Sequence, residues 1–122
     1  MRVLVVSQSG AERERAVAAM RVAEAFEVVE AASAVEAHRA MSEDHFDVVV
    51  MDGDMRPEGG YSVLYEMRAA AEIAGTTAPP SVVLMDREQD RWLAKWAGAE
   101  VALLKPVDSF ALAKRVEELV VG

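Results

Sequence analysis

The chain contains no cysteine. Disulfides and thiolate metal sites are therefore excluded, and the absence fits a reducing compartment. Long apolar runs are missing too. The opening MRVLVVSQSG carries only a short one, insufficient for a signal-peptide core or a membrane span, so a cytoplasmic protein is expected. Positive charge is scarce: 13 Lys and Arg face 21 Asp and Glu, a net charge of −8. Such a surface repels a phosphate backbone, and no run of Lys and Arg makes a basic patch, so nucleic-acid binding is not expected. A protein or cationic partner suits the charge better.

What is present has the balance of a globular protein, 52% hydrophobic and 28% charged, and 122 residues suit one domain, 1–122, with a core of its own. Short apolar runs recur at Val3–Val6, Val28–Val29, Val48–Met51, Val82–Met85 and Val101–Leu104. Three of them lack in/out alternation, as expected of strands covered on both faces, while Val28–Val29 is the weakest and reads as an edge strand. Helical spacing fills the gaps. It places Val17, Met20, Ala23 and Phe26 on a first helix over 11–26, and Val63, Leu64 and Met67 on a third over 61–74. A second helix over 33–41 opens on Ser33 and Glu36, a capping box. A fourth over 89–97 carries Trp92, Leu93 and Trp96, and core packing is expected for one of the tryptophans. The fifth, over 109–121, carries Phe110, Leu112, Val116 and Leu119, with Asp108 or Ser109 as cap.

Five strands alternating with five helices give an α/β fold with a parallel sheet and right-handed crossovers. Such folds keep their chemistry at the carboxyl ends of the strands. The residues that matter are then Ser7 and Gln8, Asp52 and Asp54, Asp86 and Arg87, and Lys105 and Pro106. A buried strand that stops at a carboxylate, VVVMD, is explained by that edge. Asp52 alone would be an ordinary turn aspartate.

Asp52 after the third strand and Lys105-Pro106 after the fifth form a more specific pair. With "VVVMDGDMRPEGGYSVL", "AGAEVALLKPVD" and "MRVLVV", the whole chain resembles the receiver domain of bacterial two-component response regulators. The resemblance implies a flavodoxin-like (βα)5 fold of strand order 2-1-3-4-5, Asp52 as phosphoacceptor, and Lys105 as the phosphoryl contact. It also implies Gly60 as the turn into the third helix and a cis peptide before Pro106. An aspartate can attack phosphorus, but two anions must meet, so a lysine and Mg²⁺ are needed. The chain departs from the family where that matters. Ser7 and Gln8 replace the acidic pair that holds Mg²⁺, leaving at most a weak metal site on Asp52 and Asp54. Asp86 replaces the Thr or Ser switch, Ala102 replaces the aromatic switch, and the loop proline is shifted by one in Met55-Arg56-Pro57.

The expected function is a signalling module that is not an enzyme and works by protein–protein contact, its partner a histidine kinase or a downstream target. A degenerate receiver, in which Asp86 pairs with Lys105, is favoured over a working phosphoacceptor that uses Asp54 and Asp86 for metal. The end of the chain soon after the fifth helix, at Val121-Gly122, suggests a stand-alone module. Trp92 and Trp96 mark the helix 4–strand 5–helix 5 face, the family's usual partner surface, and a homodimer through it is one expectation. A flavodoxin-like cofactor carrier is the rival, but "SQSGAERE" offers few hydroxyls for a phosphate. Gly59-Gly60 reads as a turn, since no glycine-rich phosphate motif surrounds it. His38 and His45 have no partner at ligand spacing, so both read as surface or cap residues.

Overall fold

The computed structural model describes residues 1–121; Gly122, to which the reading of the chain's end refers, lies outside them. The elements alternate without exception: β1 (Arg2–Val6), α1 (Gly10–Arg21), β2 (Glu27–Ala31), α2 (Ala34–Glu43), β3 (Val48–Asp52), α3 (Gly60–Ala74), β4 (Ser81–Met85), a 3-10 turn (Glu88–Asp90), α4 (Arg91–Ala97), β5 (Val101–Leu104) and α5 (Ser109–Val121). The strands form one parallel sheet of order β2-β1-β3-β4-β5. This is the flavodoxin-like three-layer architecture expected from the sequence. Among the described residues no helix is long and apolar enough to cross a membrane.

The uninterrupted apolar strands split by the two-residue period of the pleat. Leu4, Val6, Val49, Met51, Val83 and Met85 face α2, α3 and α4. Val3, Val5, Val48, Val50, Val82 and Leu84 face α1 and α5. Both faces are covered, so no polar residue is needed within these strands. β2 pairs only with β1, and its exposed Glu27 and Glu30 bind Arg2 and Arg13, which suits an edge strand.

Caps set the helix starts. Ser9 Oγ accepts from Glu12 N at 3.2 Å, and Ser33 Oγ accepts from Glu36 N at 3.1 Å. Asp108, rather than Ser109, caps α5, its Oδ1 accepting from Phe110 N at 2.9 Å and Ala111 N at 3.2 Å. Three expectations are corrected. The first helix stops at Arg21, so Phe26 packs beyond its end. Neither tryptophan is core: Trp92 and Trp96 are 66% and 52% exposed. α4 instead turns Ala94 and Ala97 to the core, and the small face lets it sit close to α3 and the sheet. Phe110 is likewise 77% exposed, while Leu112 and Val116 are buried.

Candidate functional site

β3 lies at the centre of the sheet, between β1 and β4, so its last residue, Asp52, is only 2% exposed. The next residue is tied back: Gly53 N donates to Leu84 O at 2.9 Å. α3 then starts directly against the strand. A Cβ on Gly60 would lie 1.9 Å from the Asp52 carbonyl oxygen, so only glycine permits this approach.

Both oxygens of the Asp52 carboxylate meet donors. Oδ2 accepts from Ser7 Oγ at 2.7 Å. Oδ1 accepts from Lys105 Nζ at 2.7 Å and from the Asp54 backbone N at 3.0 Å. Ser7 is itself 1% exposed, and its Oγ accepts from Ser9 N at 3.2 Å. Lys105 is placed by β5, its backbone N donating to Met85 O at 2.8 Å, and the Lys105-Pro106 peptide is cis, as the resemblance implies.

The ammonium of Lys105 also meets Asp86 Oδ1 at 2.8 Å. One cation thus bridges the carboxylates that end β3 and β4. Burial alone would lower the Lys105 pKa; hydrogen bonds and charge from Asp52 and Asp86 more than offset it and hold the pKa above its ordinary value. The hydrogen bond from Lys105 holds the Asp86 carboxyl below its ordinary value. Asp54 and Asp86 line the same open groove. Tyr61 closes the other flank with its ring against Gly53, and its phenol is pushed up to about 12, first by burial and then by Asp90 and Asp86.

The residues at the acidic-pair positions do other work. Gln8 reaches across to the β3–α3 loop, where its Oε1 accepts from Arg56 N at 2.8 Å and its Nε2 donates to Arg56 O. The following Arg56-Pro57 peptide is also cis, which the sequence did not signal. Ala102 is half-buried in β5 and offers only a methyl group where the family has an aromatic ring. The donor set does not fit the family's magnesium ion: Ser7 and Gln8 bring no charge, the Gln8 amide is spent on Arg56, and both Asp52 oxygens are taken. Among the described residues, no trio of carboxylates and histidines converges here. One does converge elsewhere, at His38, Glu58 and Glu66, so His38 is not the partnerless residue its spacing suggested; His45 is exposed beside Asp47. Trp96 stacks on Tyr65 of α3, ring centroids 4.6 Å apart and 3° from parallel, and Trp92 faces solvent.

A parallel sheet of this order, ending β3 in a buried aspartate and β5 in Lys-cis-Pro, defines a CheY-like receiver. The model of the response regulator receiver domain matches residues 3–117, and the chain belongs to that family. Uncharacterized response regulatory proteins from two strains of Mycobacterium tuberculosis are 36% identical over 81 residues. That match takes in 66% of this chain and 58% of theirs, so it spans little more than half the length of these relatives. The fold is shared with a two-component response regulator of Clostridium difficile (TM-score 0.84, 15% identity, 98% of this chain and 95% of that one). It is shared too with a chemotaxis response regulator of Vibrio cholerae (0.82, 25%, 97% of each). A third similar structure is TrrA of Thermotoga maritima, solved in complex with Mg²⁺ and BeF (0.80, 24%, 97% of each).

Proposed function

We propose that this receiver is a pseudo-receiver: a cytoplasmic, non-enzymatic signalling module whose site is held by an internal charge bridge instead of Mg²⁺ and a phosphoryl group. The observation that carries this reading is Lys105 Nζ placed 2.7 Å from Asp52 and 2.8 Å from Asp86. A phosphoryl group on Asp52 would need that ammonium, and Asp86 already holds it. An ionised Asp86 also cannot donate the hydrogen bond that a Thr or Ser would, and it repels an added anion. Output would come from contacts with a histidine kinase or a downstream protein. The β5 edge of the molecule is suited to such contacts, since Trp92, Trp96 and Phe110 stand exposed on α4 and α5.

A second reading has one observation in its favour. Asp54 and Asp86 face the same groove, lined by Gly53, Tyr61, Arg87 and Asp90, and could supply metal charge from the side opposite to Ser7 and Gln8. Asp52 would then be a working phosphoacceptor. Amide NMR with Mg²⁺ and then beryllofluoride separates the two. The pseudo-receiver gives no shifts around Asp52 at millimolar Mg²⁺, nor on adding beryllofluoride. Shifts in the unmodified protein that vanish in Asp52→Asn establish the second reading instead.

A further inference from the structure

The face formed by α2, α3 and the loop before α3 holds a second cluster with no part in the Asp52 site. His38 comes from α2, Glu58 from the loop and Glu66 from α3, and their potential ligand atoms all lie within 4.8 Å of one another. His38 Nε2 is 3.3 Å from Glu66 Oε2. The two are not aligned for a hydrogen bond, so Nε2, a buried atom on a side chain that is 39% exposed, has no hydrogen-bond partner. A buried imidazole nitrogen without a partner is costly, and two carboxylates turned toward each other add repulsion.

We propose that His38, Glu58 and Glu66 form a binding site for a divalent transition-metal cation of the zinc type. One imidazole nitrogen and two carboxylate oxygens suit Zn²⁺, whereas Mg²⁺ prefers an all-oxygen shell that keeps its waters. Three protein ligands leave the fourth position of a tetrahedron to water. Bonds of about 2.0–2.2 Å set ligand atoms roughly 3.4 Å apart. The His38–Glu66 pair already has this spacing, and Glu66, with half its side chain in solvent, is free to adjust. The site has a consequence for the rest of the molecule. Glu58 stands six positions after Asp52, in the loop that Gln8 grips at Arg56. A cation there would pin the same loop from its other side, to α2 and α3, and so act on the Asp52 site without kinase or phosphate. The inference does not depend on whether Asp52 is phosphorylated.

Calorimetric titration of the full chain with Zn²⁺, and separately with Mg²⁺, tests this alongside amide NMR. We expect one zinc per chain, with shifts centred on His38, Glu58 and Glu66 and extending along the loop to Gly53, and no heat with Mg²⁺ at the same concentration. His38→Ala, Glu58→Gln and Glu66→Gln should each weaken zinc binding at least about tenfold, with far-UV circular dichroism unchanged. His45→Ala should leave it unaltered. Absence of zinc binding overturns the proposal. So does binding that survives His38→Ala or is lost in His45→Ala, which would move the ion to the exposed His45 and Asp47. Wild-type shifts elsewhere overturn it even if a variant fails to fold.

Discussion

Lys105 is the residue on which the site balances. Its side chain is 11% exposed and that of Asp52 is 3% exposed, so removing the ammonium strands a buried carboxylate. Breaking such a pair costs several kcal/mol, but Ser7 Oγ and Asp54 N continue to serve Asp52. Lys105→Met should therefore destabilise by about 3 kcal/mol, the low end for a buried pair, as read by urea unfolding. The pH dependence follows from the directions of the two shifts. Asp86 is held below its ordinary 3.8, so the stability it contributes is complete above that value and lost as pH falls through the lower folded value. Lys105 is held above 10.5, so its contribution is complete below that value and lost as pH rises through the higher folded one. Stability from the bridge is thus flat across neutral pH and declines at both ends. Asp86→Asn should flatten part of the acid decline; an unchanged acid limb would show that Asp86 contributes nothing to it. Much of this site was legible in the sequence, because Asp52, Asp86 and Lys105 all stand at strand ends that a parallel sheet must bring to one edge. The bonds of Ser7 and Gln8 were not. A neutral residue in place of an acid signals only a loss, and the acceptor that Gln8 finds is a backbone group 48 positions away.

At the scale of elements, the junction between β3 and α3 rests on Gly60. A methyl group there would drive into the Asp52 carbonyl, and the clash is with backbone, which cannot rotate away. Gly60→Ala should cost about 3 kcal/mol, the upper range for overpacking. Gly75→Ala is the control. That residue ends α3 with φ of 74° and has nothing within 4 Å of a Cβ, so only the left-handed backbone penalty of about 1 kcal/mol applies. Equal losses in a denaturation series would contradict the close approach of helix and strand. The strands were the easiest elements to read, since two covered faces force unbroken valine-rich runs. α4 was the hardest. Over seven residues a tryptophan stripe and an alanine stripe are both helical in period, and period does not say which one turns inward. The sheet leaves little room beside α3, so the alanines go in and Trp96 finds Tyr65. The His38, Glu58 and Glu66 cluster draws on three separate elements and leaves no local pattern to find.

For the whole molecule, net charge and exposed apolar surface act against each other. Each copy carries −8, so two copies repel at long range, while Trp92, Leu104 and Phe110 stand 66%, 44% and 77% exposed on α4, β5 and α5. If copies pair through that face, attraction is short-ranged and apolar, and repulsion is what salt removes. The screening length falls from about 30 Å at 0.01 M salt to about 10 Å at 0.1 M. Self-association measured by light scattering should therefore tighten several-fold over that range, and Trp92→Ala with Phe110→Ala should abolish it. Trp92 is a better probe than Trp96, whose removal would also break the stack on Tyr65 and disturb α3. Association that weakens with salt would mean ion pairs, not apolar contact, hold the copies together. A protein that stays monomeric at high salt and high concentration leaves the same surface to a different protein, and the acidic charge then favours a partner that is basic around its own apolar patch.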